Sequence, residues 1–296
     1  MITTVALAPD RREAVRELLA SVIAQDGVSP LDEAAVLALD GEDAQHLLLE
    51  ADGVLLGYTS VLADGTVQGM VHPAQRRQGH GTALLRAALE ARPDAGVWAH
   101  GALEGSLAFL ASAGLVETRR LLTLRRPLDE AHPVPAPGPL PEGIELDSFD
   151  VDRDAERWVA VNAAAFADHP EQGALTRDDL DQRLAQDWFD PEDLLVARED
   201  GSLVAFVWIK RERRGAVDQD AEIYVVGTDP AVQGRGLAGA LMGRALTRLA
   251  EAGVPGVELY VEADNAPALR LYEDRGFAVS GRDVQMRMQV RTAGKG

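Results

Sequence analysis

Two glycine-rich turns carry the clearest chemistry in this chain: R-R-Q-G-H-G over Arg76–Gly81 and Q-G-R-G-L-A over Gln233–Ala238. Each follows an apolar strand-like run and opens a helix-like one. Gly79, Gly81, Gly234 and Gly236 remove side chains where backbone must come close to a bulky anion, and the amide donors at a helix start favour a phosphate. Arg76, Arg77 and Arg235 stand inside these turns, although the chain carries 48 acidic against 29 basic residues, a net charge of −19. A pyrophosphate-bearing ligand is the expected guest. The Rossmann dinucleotide pattern, G-x-G-x-x-G with an acidic residue about 20 positions on, fits neither copy.

The elements around the turns repeat too. Val71-His72-Pro73 leads into the first and Gly227-Thr228-Asp229-Pro230 into the second. Thr82-Ala83-Leu84-Leu85 answers Gly239-Ala240-Leu241-Met242 as the apolar face of a helix. Ala113-Gly114-Leu115 and Arg275-Gly276-Phe277 each end a helix and enter a strand. In the first half, the pattern predicts a helix over 11–25, a hairpin around Asp52-Gly53, a strand to His72, helices over 81–91 and up to 114, and strands over 96–100 and 116–124. In the second, it predicts helices over 155–166 and 177–186, a hairpin around Asp200-Gly201 and a strand over 221–226. The glycine helix to 251, a strand over 257–261, a helix over 266–275 and a strand over 277–288 follow. Each half reads as a mixed α/β unit.

At 296 residues, 46% of them hydrophobic, the chain is long enough for two cores. Residues 128–142 read L-D-E-A-H-P-V-P-A-P-G-P-L-P-E, and the alternate prolines favour an extended spacer. The expected division is therefore a domain over 1–128, a Pro-rich linker over 129–142 and a second domain over 143–296. The acidic balance argues against nucleic acid or an anionic membrane as partner. With no cysteine, disulfides, zinc-thiolate sites and cysteine nucleophiles are excluded. His72 and His169 lack ligand spacing, so no metal is expected. No signal segment or membrane-spanning run is read, so the cytoplasm is the expected compartment; a monomer is compatible with the sequence, which leaves the oligomeric state open.

The pattern Q/R-x-x-G-x-G/A after a strand resembles the acetyl-CoA loop of the GNAT superfamily of N-acetyltransferases, in both halves. The resemblance implies two tandem GNAT acyltransferase domains with acetyl-CoA as co-substrate. In the second half it implies cofactor contacts at Val226, Gly227, Thr228, Gln233, Gly234, Arg235, Gly236, Leu237, Ala238 and Gly239. The string A-D-N-A-P-A-L-R-L-Y adds Asn265, Ala266, Pro267, Ala268, Leu269 and Arg270. In the first half it implies Gln68, Gly69, Met70, Arg76, Arg77, Gln78, Gly79, His80 and Gly81. On pattern alone, Glu222 reads as a solvated strand residue and Tyr272 as helix core. By resemblance Glu222 is the general base, Tyr272 the acid for the CoA thiolate, and a Val225–Val226 amide the oxyanion donor. The same registers place Gly65 opposite Glu222 and Leu110 opposite Tyr272, so the first domain is expected to be catalytically inactive.

Three further segments, F-A-D-H-P-E-Q-G-A-L from Phe166, V-W-I-K-R from Val207 and Q-D-G-V-S-P-L from Gln25, resemble the mycothiol synthase family. That family transfers acetyl to the cysteinyl amine of a cysteine-glucosamine-inositol precursor. The resemblance implies substrate contacts at Asp26, Glu171, Lys210, Glu222 and Tyr260. Read without it, these are turn, surface and strand residues. Ile209 and Glu212 depart from the family's W-T-K-V-H pattern, which keeps open an acetyltransferase for another amine, such as a protein N-terminus. A non-catalytic acetyl-CoA-binding module is the third reading.

Overall fold

The computed structural model describes residues 1–42, 44–167, 172–211 and 219–289. Its chain packs as two compact units, Met1–Leu122 with Gly281–Gly296, and Thr123–Ser280.

In the first unit, β1 (Ile2–Thr4), α1 (Pro9–Asp26) and α2 (Glu33–Leu37) precede an antiparallel run of β2 (Ala44–Ala51), β3 (Val54–Leu62) and β4 (Thr66–Val71). The β2–β3 turn is closed by Asp52 at φ 50° and Gly53 at φ 77°, the two positive angles that a right-twisted two-residue hairpin needs. Then come α3 (His80–Ala91), β5 (Gly96–Ala99), parallel to β4, α4 (Glu104–Ser112) and β6 (Leu115–Pro127). Asp32 caps α2 by accepting from the Ala35 amide at 2.8 Å. The sequence reading did not anticipate β1 or α2, which are too short to display a period.

The second unit repeats this order: β7 (Ile144–Ser148), α5 (Val151–Ala165), α6 (Arg177–Leu184), β8 (Leu194–Glu199), β9 (Ser202–Lys210), β10 (Ala221–Thr228), α7 (Leu237–Glu251), β11 (Gly256–Glu262), α8 (Ala266–Glu273) and β12 (Ala278–Met288). Strands β7 to β10 pair antiparallel in sequence, and β11 joins β10 in parallel. The Asp200-Gly201 hairpin repeats the first unit's backbone, with φ 50° and 77°. Helices α5 and α6 start on side-chain caps, Asp150 for the first and a Thr176–Asp179 capping box for the second. One face of the sheet buries Trp158, Trp208, Phe206, Leu180 and Leu194. Burial of this kind stabilises by about 1.5–3 kcal/mol per large side chain.

The last strand departs from the division at 143–296. Residues 281–288 of β12 belong to the first unit, where they pair antiparallel with β5 (Val284 opposite Ala99). Val284 and Met286 complete the core formed by Val67, Val97, Leu110 and Leu115, and Gln285 covers Gly96. Residues 123–127 of β6 belong to the second unit, where the Arg125 guanidinium pairs with Asp220 and the Leu128 amide donates to Pro255 O at 2.9 Å. An alternating strand records which of its faces is apolar but not which sheet it joins.

Candidate active site

Two features of β10 open the second unit's sheet. Its parallel ladder with β11 consists of Ala221–Val257 and Glu222–Glu258, so the strands part beyond Glu222. Its register with β9 slips between Ile223, opposite Ile209, and Val225, opposite Trp208, which makes Tyr224 the extra residue of a β-bulge. The segment expected to supply the oxyanion donor, Val225–Val226, begins at this bulge. A strand with an unpaired edge there offers amide donors to an extended ligand.

At the C-terminal end of β10, Asp229 accepts from the Ala231 amide at 2.9 Å and shapes a short 3-10 turn. Gln233 follows in extended conformation, its side chain donating to Thr228 O at 3.2 Å. Gly234 and Gly236 take φ 78° and 82°, the left-handed region that side chains disfavour. Gly236 caps α7 with no side chain, and the first α7 bond runs from the Ala240 amide to Gly236 O at 3.0 Å. The amides of Leu237, Ala238 and Gly239 therefore start the helix without intrahelical acceptors, an arrangement suited to pyrophosphate. Arg235 pairs with Glu199 at 2.8 Å. Gly227 has a packing reason as well, since a Cβ there would lie 2.5 Å from the Phe206 ring.

Glu222 is half-buried on β10, opposite Lys210 on one side and Glu258 on the other. Burial and then the charge of Asp220 push the Glu258 carboxyl up. Tyr272, on α8, is 8% exposed and packs edge-on against Phe277, and burial pushes its phenol up to about 12. At neutral pH it keeps its proton, as a general acid must. Asn265 caps α8, its Oδ1 accepting from the Ala268 amide at 3.2 Å, and so gives the 265–270 segment a structural role too. Lys210 Nζ lies 5.0 Å from the Trp188 ring centre and 5.4 Å from that of Tyr224. Tyr260, on β11, is 45% exposed.

Asp26 lies in the first unit, at the end of α1, where both carboxylate oxygens accept from Arg76 at 2.8 and 2.7 Å. Glu171, His169 and Glu212 lie outside the described residues. Trp188, Tyr224 and Arg183 were not singled out by the sequence reading. A bulge leaves no compositional mark, and an isolated Trp188-Phe189 pair reads as ordinary core.

The first unit has a matching turn. Arg77 takes φ 63° where the second unit has Gly234, and Gly79 takes φ 86° at the start of α3. A non-glycine residue in this region is strained and is retained where the turn geometry matters. Gln68 and Met70 are buried, Gln68 accepting from the Asp32 amide at 2.6 Å.

Register also corrects one expectation. The His72 amide donates to Leu56 O at 2.9 Å and the Asp229 amide to Val204 O at 2.8 Å, equivalent bonds that anchor the two strand pairs. Counted from them, Val61 opposite Val67 corresponds to Ile209 opposite Ile223. The counterpart of Glu222 is therefore Thr66, not Gly65, because β4 lacks the bulge. Thr66 donates to Asp64 at 2.9 Å, and Leu110, in the place of Tyr272, is core.

Among the described residues, no group of three or more His, Asp or Glu side chains could hold a metal ion, and no helix is long and apolar enough to cross a membrane.

The acetyltransferase (GNAT) family matches residues 13–114 and again 158–277. A mycothiol acetyltransferase of Brachybacterium faecium is 65% identical, the match covering 98% of this chain and all of the relative. One of Thermomonospora curvata is 45% identical, covering 88% of this chain and 87% of the relative. Among solved structures, a GCN5-related N-acetyltransferase from Sphaerobacter thermophilus matches with a TM-score of 0.67 at 27% identity, over 96% of this chain and 94% of that one. A tandem GNAT protein from the clavulanic acid biosynthesis pathway matches at 0.70 and 20% identity over 95% of each chain, a likeness of fold.

Proposed function

This chain belongs to the GNAT acetyltransferase family and, within it, to the mycothiol acetyltransferases, and on that premise we propose that Glu222 and Tyr272 carry its proton transfers in the second unit. The reaction moves acetyl from acetyl-CoA to the cysteinyl amine of the cysteine-glucosamine-inositol precursor, giving mycothiol. The observation that carries the site assignment is the placement of Glu222 where β10 parts from β11, with Tyr272 held protonated on α8.

An α-amine with a pKa of about 7.7–8.0 is mostly ammonium at neutral pH and cannot attack. Glu222 takes that proton, and the amine nitrogen attacks the thioester carbonyl. The oxyanion of the tetrahedral intermediate accepts a hydrogen bond from the Val225–Val226 backbone. On collapse the C–S bond breaks, the CoA sulfur receives the Tyr272 proton, the nitrogen's second proton passes to the resulting phenolate, and Glu222 gives its proton up to water. The turn from Gln233 to Gly239 binds the pyrophosphate, the segment from Asn265 to Arg270 flanks the cofactor, and Lys210 and Tyr260 hold the acceptor. The family resemblance adds Glu171 to these acceptor contacts.

In this reading the first unit does no chemistry, since Thr66 and Leu110 replace the carboxylate and the phenol. Its turn, with Arg76 to Gly81 and the Gln68–Met70 backbone, retains the features that bind acetyl-CoA. The enzyme works in the cytoplasm. Incubation of the desacetyl precursor with acetyl-CoA, followed by mass spectrometry, tests the activity. An N-acetyl product with stoichiometric free CoA is expected, and faster acetylation of a peptide N-terminus than of the precursor would displace the reading.

A further inference from the structure

Lysine is a compact charge on a flexible four-carbon stem, and a binding site that uses one must hold it still. Around Lys210 the structure supplies the means. Its Nζ lies over two ring faces, Trp188 at 5.0 Å and Tyr224 at 5.4 Å, within the range at which a ring quadrupole attracts a cation. The rings are themselves fixed. Their centres are 5.2 Å apart, and both pack against Trp208, a fully buried residue, at 5.6 and 5.3 Å. Arg183 Nε donates to the Tyr224 hydroxyl at 2.8 Å while its Nη1 donates to Asp179 O at 2.8 Å, which ties the Tyr224 ring to α6.

The bulge explains why Tyr224 is there: the extra residue interrupts the alternation of β10 just beyond Glu222, which is Lys210's partner in the ladder. The first unit has neither the bulge nor the cation, since Leu62 corresponds to Lys210 there. The aromatic pair thus accompanies the carboxylate of the second unit.

We propose that Trp188 and Tyr224 form an aromatic seat that fixes the Lys210 ammonium across the ladder from Glu222, and that this seat is a positioning device selecting a hydroxyl-rich acceptor. It rests on the reading of Lys210 as an acceptor contact. Trp188 and Tyr224 act through Lys210, presenting its N–H donors to ring hydroxyls in one place.

Two measurements on the full-length enzyme test it. Lys210 and Lys295 are the only lysines, so lysine labelled with 13C at Cε alone gives two ε-methylene signals. The Lys210 signal should be displaced upfield by ring currents, and Trp188→Leu should abolish much of that displacement while Trp188→Phe keeps it. In steady-state kinetics, Trp188→Leu should raise the acceptor KM about tenfold, leave the acetyl-CoA KM within twofold and be largely rescued by Trp188→Phe. In a Lys210→Met background the same change should add nothing further. An undisplaced Lys210 signal, or an equal rise in KM without Lys210, overturns the seat. If Lys210→Met leaves the acceptor KM unaltered, the acceptor role of Lys210 fails and takes the selection claim with it. Absence of any acetylated product with the wild-type enzyme would instead refute the activity, while the ring-current result still decides the seat.

Discussion

Glu222 and Lys210 face each other across the β9–β10 ladder, at the pair where β10 also parts from β11. Directly opposed residues of an antiparallel pair share one face of the sheet. A carboxylate and a cation therefore rise together at the mouth of the opening, with the glycine turn at the far end of the same strand. The donor and the acceptor of an acyl transfer can meet there.

The two turns make separable predictions. Gly236 and Gly79 both hold left-handed backbone with open space around them, so alanine at either costs conformational strain of about 1–2 kcal/mol and no clash. Gly236→Ala should raise the acetyl-CoA KM and lower kcat/KM at least tenfold. Gly79→Ala should leave both within twofold and remove at most one binding site in a calorimetric titration with acetyl-CoA. Equal kinetic damage from both would assign chemistry to the first unit.

Tyr272 gives a prediction in pH. Its phenol is raised from 10.0 to about 12 by burial, so the folded state prefers the neutral form. The associated stability is complete below pH 10 and is lost as pH rises toward 12, up to about 2–3 kcal/mol. Urea midpoints of wild-type protein should therefore fall more than those of Tyr272→Phe between pH 9 and 11.5. At neutral pH, Tyr272→Phe should lower kcat about a hundredfold and leave the acetyl-CoA dissociation constant unchanged.

Asp154 and Arg198 form a buried pair at 2.7 Å, with side chains 2% and 5% exposed. Burial pushes the Asp154 carboxyl up, but hydrogen bonds from Arg198, the Asp150 amide and Arg153 outweigh it and leave it below its ordinary 3.8. Its stability is therefore present above that value and lost as pH falls through the lower folded value. Asp154→Asn should cost about 1.5–3 kcal/mol at pH 7, because Arg198 loses its buried carboxylate and, among the described residues, keeps only Asp147, at 3.2 Å, as an acidic partner, and its deficit relative to wild type should shrink in acid denaturation below pH 4.

Much of this architecture was legible in the residues. Asp52-Gly53 and Asp200-Gly201 fixed their hairpins because few other pairs accept two positive φ angles, and the paired glycines marked both turns. What escaped is non-local. Tyr224 becomes a bulge through pairing with β9, so counting along the chain pointed to Gly65 where the ladder has Thr66. Val284 and Met286 alternate as in any strand, yet the core that they complete lies with Val97 and Leu110. Trp188 acquires meaning only once Lys210 is seen above its ring.

The most direct measurement is single-turnover acetylation of the desacetyl precursor by Glu222→Gln, with acetyl-CoA binding measured by calorimetry on the same sample. The account predicts an unchanged cofactor dissociation constant and a transfer rate at neutral pH lower by about 10²–10⁴. Wild-type transfer at unchanged affinity would contradict it, because the amine would then be losing its proton to some other group.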